Sequence, residues 1–199
     1  MNTPRLVLAS ASPARRTLLT AAGIAFEPIV SGVDESAVRE DDPATLSLTL
    51  AKLKARAVAD RLTGDRLVIG CDSLLEFEGE GLGKPASADE AVARWRRMRG
   101  RPGVLHTGHC LIDLGTGKQA EAVASTVVHF ADLSDQEIEA YVGTGEPLHV
   151  AGGFTIDGRG APFVLRIEGD HGTVVGLSLP LLRELLASLD VPLSTLWEA

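Results

Sequence analysis

The sequence predicts an α/β fold with a mixed sheet and flanking helices. Helix and strand patterns alternate along the chain, which favours crossover connections between parallel strands. Two helix starts are marked by a capping residue followed by proline, at Ser12-Pro13 and Asp42-Pro43. The stretch 104–130 reads as two long strands joined at "GTGK", which requires an antiparallel hairpin. Crossovers and hairpins together imply a sheet that contains both kinds of pairing.

The first half of the chain contains two strands and two helices. In order, they are a buried strand at 6–9, a helix from Pro13 to about Ala22 closed by Gly23, a strand at 26–30, and a helix beginning at Pro43. On the last helix, Leu46, Leu50, Leu53 and Ala57 recur at steps of four, three and four. This spacing predicts that those four side chains form the buried face.

The second half continues the alternation. It begins with a buried strand at 66–70 that leads into "CDS", followed by a glycine-tipped hairpin over "LLEFEGEGLGKP". A helix then begins at the capping box Ser87/Glu90 and ends at Gly100, before the long hairpin. The last elements are a helix after the capping box Ser134/Glu137, a strand at "PFVLRIEG" and a closing amphipathic helix at "LPLLRELLASL". We find no internal repeat and no interdomain linker. Residues 1–199 are therefore expected to form one domain, with two lobes around a cleft as a variant of that organisation.

Composition limits the classes of function. With 19 basic and 27 acidic residues, the net charge of −8 argues against a general nucleic-acid or membrane-surface binder, and no stable nucleic-acid complex is expected. Cys71 and Cys110 form no CxxC pattern and suit a reducing compartment. No apolar run approaches a membrane span or a signal peptide. We therefore expect a cytoplasmic protein.

The first helix begins with an electrostatic anomaly. Arg15 and Arg16 lie in its first turn, where a cation costs about 0.3–1 kcal/mol against the helix dipole. One explanation is that an anion binds there, held by helix amides and a guanidinium. The other is that both are surface arginines whose stems cover Leu18 and Leu19. The segment alone leaves both open.

Polar residues concentrate in loops at the ends of elements. Asp72 directly follows a buried strand, where a carboxylate needs solvent, a cation or a donor; the alternative is a turn cap. Asp34 and Glu35 are either metal-binding oxygens or a solvated pair. Lys84 in "GLGKP" is either a phosphate-binding charge or a hairpin lysine, and the segment lacks the glycine and Ser/Thr of a P-loop. Lys54 follows Leu53 at the edge of the predicted buried stripe.

Other motifs give little support for chemistry. His106 and His109 are three apart in a strand and should point to opposite faces, which disfavours a shared metal site. No GxSxG segment is present, so a Ser-His-Asp hydrolase of that type is not indicated.

Taken together, several segments resemble the Maf family of nucleotide pyrophosphatases. They are "LASASPARRTLL" (8–19), "SGVDES" (31–36), "LAKLKARAV" (50–58), "GCDSLL" (70–75), "GKP" (83–85), "MRGRPGVLHTGH" (98–109), "GTGEPLHVAGGFTIDGRGA" (143–161) and "IEGDHGTVVGLSL" (167–179). The resemblance covers nearly the whole chain. It implies hydrolysis of a nucleoside triphosphate to the monophosphate and pyrophosphate, a divalent cation (Mg²⁺ or Mn²⁺), a fold akin to that of inosine triphosphate pyrophosphatases, a cleft, and a homodimer.

The resemblance also implies roles for individual residues. Asp72 matches the family's base, and Glu35 matches an acidic residue near the metal, so that Glu35 and Asp72 would hold the cation. The positions that match phosphate-binding residues are Ser10, Arg15, Lys54 and Lys84. On this basis Arg15 is a triphosphate ligand, while Arg16 is a surface residue.

Base specificity is the point at which this chain departs from the family branches. The branch that hydrolyses dTTP and UTP has arginine, threonine and glutamine where this chain has Ala14, Ser73 and Asp157. The branch that resembles 7-methyl-GTP pyrophosphatase has a bulky aromatic residue where this chain has Ala14. The expected activity therefore has an open base preference.

The activity itself has competing interpretations. The leading hypothesis is an enzyme that removes nucleotides, including ones outside the standard set. The alternative is a nucleotide-binding regulator of cell division with little or no hydrolysis. A general phosphomonoesterase would instead release orthophosphate. Because a binder needs no base, the presence of Asp72 and Glu35 beside the basic residues favours the enzyme.

Overall fold

The computed structural model describes residues 5–197, which contain one mixed sheet of seven strands. Its strands are β1 (Leu6–Leu8), β2 (Phe26–Pro28), β3 (Leu67–Phe77), β4 (Glu80–Leu82), β5 (Pro102–Asp113), β6 (Gln119–Phe130) and β7 (Val164–Glu168). The order is β2-β1-β3-β5-β6-β7, with β4 paired to β3. β1 is parallel to β2 and β3, and the other pairs are antiparallel. The predicted mixed sheet is confirmed.

Helices flank this sheet, and most of the predicted caps are present. They are α1 (Pro13–Ala21), α2 (Pro43–Ala59), α3 (Ala88–Met98), α4 (Asp135–Gly143), α5 (His171–Val175) and α6 (Leu179–Ser188). The side chains of Ser12, Asp42, Ser87 and Ser134 each accept a backbone N–H from the first turn of their helix. Of the two predicted capping boxes, that of α4 is complete, whereas Glu90 in α3 accepts from Ala86 N instead. The sequence analysis did not predict α5.

β3 is longer than predicted, and this changes the setting of Asp72. The predicted strand at 66–70 and the first arm of the predicted hairpin over 74–85 form one continuous strand, so Asp72 lies within it. β1 pairs with β3 only over 67–69, and β4 pairs with it only over 75–77. Among the described strands, none pairs with residues 70–74 on that side. The polar side chains within residues 70–74 of β3 therefore lie beside an open edge of the sheet, as they would at the end of a strand.

The buried face of α2 matches the predicted one only in part: Leu50 is buried, as predicted. Leu53 is 40% exposed, while the helix turns Ser47, Ala51 and Ala55 toward the sheet. These small residues approach two strand glycines so closely that a Cβ on Gly70 would lie 2.3 Å from the Ala51 carbonyl oxygen. The large-residue periodicity was misleading because this contact is made by backbone and small side chains. Relative to the predicted orientation, the helix is rotated about its axis, and this rotation also turns Lys54 inward.

Three apolar clusters cover the sheet. The first packs α1 and α6 on one face, with Leu8, Ile69 and Leu186 among its members, and the third packs α2 on the opposite face. The second lies further along the strands on the first cluster's face, around Trp95 and Phe130. Between the first and second clusters lies a belt of buried or half-buried hydroxyls, formed by Ser73, Thr107, Thr126 and Thr173. This polar belt divides the apolar core at the level of the open edge of β3.

Both cysteines are buried thiols without a disulfide, as predicted. None of the helices in residues 5–197 has the length and apolarity needed to cross a bilayer.

Candidate active site

A cleft of about 460 Å³ opens at the unpaired edge of β3. Every residue to which the family resemblance gave a catalytic, phosphate-binding or specificity role lies on its surface: Ser10, Ala14, Arg15, Glu35, Lys54, Asp72, Ser73, Lys84 and Asp157. Asp34, the other candidate metal ligand, does not line it. Asp72 and Ser73 are consecutive strand residues and point to opposite faces of the sheet. Both can line the cleft because no neighbouring strand covers this edge, so helices from the two faces contribute to one site.

Arg15 enters from the α1 side and is held tightly. It is only 8% exposed, and its Nε donates to the Gly176 carbonyl at 2.6 Å. Its Nη1 donates to Ser10 Oγ at 3.2 Å and its Nη2 to Ser73 Oγ at 3.1 Å. A guanidinium has five N–H donors, so these bonds leave two for another partner. Arg15 is therefore a fixed cation, not the solvated one that a surface arginine would be.

Lys54 enters from the α2 side and lies between two carboxylates. Its Nζ contacts Asp72 Oδ1 and also Glu35 Oε1, the latter at 2.7 Å. Lys54 and Asp72 are buried, whereas the Glu35 side chain is 52% exposed. Glu35 lies in a single 3₁₀ turn (Glu35–Ala37) that Asp34 caps by accepting from Ser36 N at 3.0 Å. The two predicted acidic residues thus converge on one cation, while Asp34 shapes the loop.

Burial raises the pKa of the Asp72 carboxyl above its ordinary value. The positive charges of Lys54 and Arg15 act in the opposite direction but do not cancel the desolvation. A carboxylate in this setting is a stronger base than one in water.

Residues that the sequence analysis missed hold this arrangement in place. Ser73 Oγ lies 2.9 Å from Thr107 Oγ1, which in turn donates to the Thr173 carbonyl at 2.8 Å. Thr173 belongs to α5, and Gly176 follows that helix with φ +121°. The signal for α5 was present, because Asp170 caps it by accepting from Thr173 N at 3.0 Å. Five residues gave too little periodicity to identify the helix.

Lys84 is exposed at the rim of the cleft, between half-buried Gly83 and buried Pro85. The Gly83 carbonyl accepts from Arg94 Nη1 at 2.6 Å and from Gly152 N at 3.1 Å. This junction ties the Lys84 loop to the segment that forms the far side of the cleft.

The far side of the cleft is a wall formed by residues from 149 to 157. Its lining residues are His149, Val150, Ala151, Phe154, Thr155, Ile156 and Asp157. No lysine or arginine lines this 149–157 wall, whereas Arg15, Lys54 and Lys84 line the remainder of the cleft. The cleft thus has a cationic part and a wall that has no lysine or arginine and ends in a carboxylate.

The two strand histidines do not share a site, as predicted. His106 contacts Ser125 Oγ and Glu76 Oε2, each at 2.8 Å. His109 is buried on the other face, where its Nε2 accepts from Ser178 N at 2.9 Å. Burial lowers the pKa of His109 to about 4.

Comparison with known proteins relates the whole chain to one group. The family model described as Maf-like protein matches residues 5–189. A Salinispora tropica protein named nucleoside triphosphate pyrophosphatase is 65% identical over 197 residues, which cover 97% of this chain and 87% of the relative. A Streptomyces coelicolor protein of the same name is 59% identical over 194 residues, covering 97% and 94%. Among solved structures, the Staphylococcus aureus Ham1 protein matches 64% of this chain and 72% of its own, with 16% identity and a TM-score of 0.43.

Proposed function

The chain belongs to the Maf family, and on that premise we propose that it is a nucleoside triphosphate pyrophosphatase, which hydrolyses its substrate to the nucleoside monophosphate and pyrophosphate. The observation that carries the proposal is the placement of Asp72, Lys54 and Arg15 at the open edge of β3. The names of the relatives that share 59–65% of the sequence support the same reaction.

The cationic part of the cleft suits a triphosphate. Arg15 offers its two remaining N–H groups in a fixed orientation, and Lys84 supplies an exposed charge at the rim. Ser10 orients the guanidinium from one side, and Lys54 adds a third positive charge. These groups would spread the negative charge that the phosphate oxygens gain in the transition state. The dipole cost of Arg15 at the start of α1 is offset when the anion binds.

Asp72 is the group we assign to water activation. Its raised pKa makes it a better proton acceptor, while Lys54 keeps it ionised by direct contact. In this assignment Asp72 takes the proton of the attacking water, and the hydroxide attacks the α-phosphorus while the bond to the bridging oxygen of pyrophosphate breaks. Lys54 orients the carboxylate and contacts Glu35 at the same time.

The donor set of the site fits a hard divalent cation. Glu35 and Asp72 present carboxylate oxygens that already converge on one ammonium group. Mg²⁺ asks a protein for only one or two carboxylates and takes its other ligands from water and phosphate. No group of three or more His, Cys, Asp or Glu within residues 5–197 is arranged to hold a metal. We propose that Glu35 and Asp72 hold Mg²⁺ or Mn²⁺, which when bound polarises the phosphoryl group.

Three positions bear on the choice of base. Ala14 donates nothing, and the Asp157 carboxylate accepts hydrogen bonds without donating. The Ser73 hydroxyl is already hydrogen-bonded to Arg15 and Thr107. These residues favour a base with amino or N–H groups over a strict preference for dTTP or UTP. We propose that the enzyme removes nucleotides outside the standard set, that it acts in the cytoplasm, and that it is a homodimer. The buried free thiols fit a reducing compartment such as the cytoplasm.

The replacement Asp72→Asn tests the proposal. Asn preserves the size of the side chain but cannot accept the proton, so turnover should fall by about 10²- to 10⁴-fold while nucleotide binding persists. Pyrophosphate release from a panel of triphosphates with Mg²⁺ or Mn²⁺ measures the activity, and equilibrium binding of an α,β-nonhydrolysable analogue measures affinity. Glu76→Gln is the matched control, because Glu76 lies on the same strand and contacts His106 outside the cleft.

The products separate the competing functions. Release of orthophosphate would indicate a phosphomonoesterase, and tight binding without turnover in the wild type would indicate a nucleotide-binding regulator. If Asp72→Asn retains more than about a tenth of the wild-type rate, Asp72 is not the base.

A further inference from the structure

The 149–157 wall has the chemistry of a nucleoside contact surface. Its half-buried apolar members, Val150 and Ile156, offer surface for a sugar or a base, whereas the Asp157 carboxylate would repel phosphate. Because the lysine and arginine side chains that line the cleft all lie outside this wall, the uncharged end of a nucleotide belongs here.

The part of the wall that follows Phe154 has no regular secondary structure of its own. Residues 154–160 contain neither helix nor strand, yet they reach the cleft in a defined conformation. They are wrapped around the carboxylate of Glu146, which lies in a 3₁₀ turn (Glu146–His149) after α4. Glu146 Oε1 accepts from Thr155 Oγ1 at 2.6 Å and from Gly160 N at 3.1 Å, and Oε2 accepts from Arg159 N at 3.0 Å.

A further donor fixes this carboxylate from the protein interior. Tyr141 hydroxyl donates to Glu146 Oε1 at 2.9 Å, and the Tyr141 ring packs in the second cluster against Trp95 and Phe163. Burial raises the pKa of Glu146, but its hydrogen bonds outweigh that effect and the net pKa lies below the ordinary value. The carboxylate therefore remains an ionised acceptor for all these donors at neutral pH.

Two glycines show how closely the loop encloses Glu146. A Cβ on Gly158 would lie 2.7 Å from Glu146 Oε2, and a Cβ on Gly160 would lie 2.5 Å from the Tyr141 hydroxyl. The loop therefore takes its shape from the carboxylate at its centre. A side chain at position 158 would displace that carboxylate, and one at position 160 would displace the Tyr141 hydroxyl that donates to it.

We propose that Glu146 is a positioning residue for nucleoside recognition: it holds the loop 154–160 so that Ile156 and Asp157 meet the nucleoside. The inference rests on the proposed pyrophosphatase function. Glu146 itself does not line the cleft and touches no reacting atom. Its effect should therefore fall on the binding of the nucleoside end, not on the chemical step.

Glu146→Gln tests this inference, because the amide nitrogen would face an N–H or O–H group where an acceptor is required. We expect KM for nucleoside triphosphates to rise about tenfold, the loss for a hydrogen bond to a charged group, while kcat stays within about threefold. Inorganic tripolyphosphate, which has no nucleoside, is the second probe: its inhibition constant should change by less than about twofold. Glu139→Gln is the matched control, since Glu139 lies on α4 and its side chain is paired with exposed Arg96, at 3.4 Å.

Tyr141→Phe provides a milder variant in case Glu146→Gln fails to fold. It removes one donor to Glu146 and keeps the ring in its aromatic packing, so KM should rise in the same direction by a few fold. A parallel rise in the tripolyphosphate inhibition constant, or an unchanged KM in both variants, would overturn the inference. Absence of pyrophosphate release by the wild type would instead contradict the proposed function, so the two failures are distinguishable.

Discussion

Arg15 illustrates how a residue acquires its role from contacts that local sequence does not specify. Its position in the first turn of α1 raised the question of an anion, but left a surface arginine equally open. The partners that bury it, Gly176 and Ser73, are 161 and 58 residues away in the chain. Arg15 lines the cleft but is buried, whereas Lys84 is exposed, so the two residues should respond differently to truncation.

Lys84→Ala should raise KM for a triphosphate by about tenfold and change the free energy of unfolding by less than about 0.5 kcal/mol, because its side chain is exposed. Arg15→Ala should weaken substrate at least as much and also cost about 1–3 kcal/mol, since it leaves buried acceptors without their donor. Steady-state kinetics and urea unfolding of both variants measure the contrast. Equal stability of the two variants would show that the contacts of Arg15 contribute nothing to the fold.

His109 predicts a pH dependence of stability that is independent of catalysis. Its pKa in the folded protein is about 4, whereas an unperturbed histidine has a pKa of about 6.5. The unfolded chain therefore binds a proton first as the pH falls, and the stabilisation present above pH 6.5 is lost on the way to pH 4. From pH 7.5 to pH 5 this amounts to about 2 kcal/mol.

His109→Gln separates this contribution from that of the other titrating groups. Glutamine can still donate to the Thr107 carbonyl and accept from Ser178 N, but it does not titrate. Urea unfolding of wild type and variant at both pH values should show the wild type losing about 2 kcal/mol more than the variant. An equal loss in the two proteins would mean that His109 does not titrate during unfolding.

At the scale of elements, the position of α2 depends on two glycines, which have no side chain, in the strands beneath the helix. Gly70 on β3 and Gly108 on β5 let the helix backbone approach, and this approach carries Lys54 to Asp72. The sequence predicted the helix and its Asp42 cap, because both depend on neighbours in the chain. It predicted the burial of Leu50 but not the rest of the buried face, since the small residues that make the contact leave no hydrophobic periodicity.

Gly108→Ala should therefore destabilise the protein and reduce activity. The added Cβ would lie 2.4 Å from the Ser47 carbonyl oxygen, a backbone atom that cannot move without shifting α2. Overpacking of this kind costs about 1–3 kcal/mol. Gly143→Ala is the control, because nothing lies within 4 Å of its Cβ position and the melting temperature should hold or rise slightly. Wild-type stability in Gly108→Ala would contradict the close packing.

At the scale of the whole molecule, the site exists because one strand lacks a neighbour for part of its length. The residues to which the family resemblance gave catalytic, phosphate-binding or specificity roles all line the cleft. Their arrangement was beyond prediction, because it depends on where β1 and β4 stop along β3. The same gap lies at the level of the polar belt, so we propose that the first and second clusters act as two lobes within one domain.

A bound triphosphate should stabilise both lobes together. Arg15 and Lys54 reach the cleft from the side of the first and third clusters, whereas the 149–157 wall reaches it from the side of the second cluster. At a concentration about 100 times its Kd, a nonhydrolysable analogue adds about 2.7 kcal/mol, or about 5–10 °C in Tm for a chain of this size.

The two tryptophans allow this coupling to be measured. Trp197→Phe leaves Trp95, which is fully buried in the second cluster, as the only tryptophan of the chain. Its fluorescence then reports the second lobe, while far-UV circular dichroism reports the whole protein. The analogue should raise both transitions by the same amount, and the shift should shrink by several degrees in Lys84→Ala at the same analogue concentration, since a tenfold weaker Kd removes about 1.4 kcal/mol. A shift seen by circular dichroism but absent from Trp95 fluorescence would show that the ligand engages one lobe alone, and that the 149–157 wall takes no part in binding.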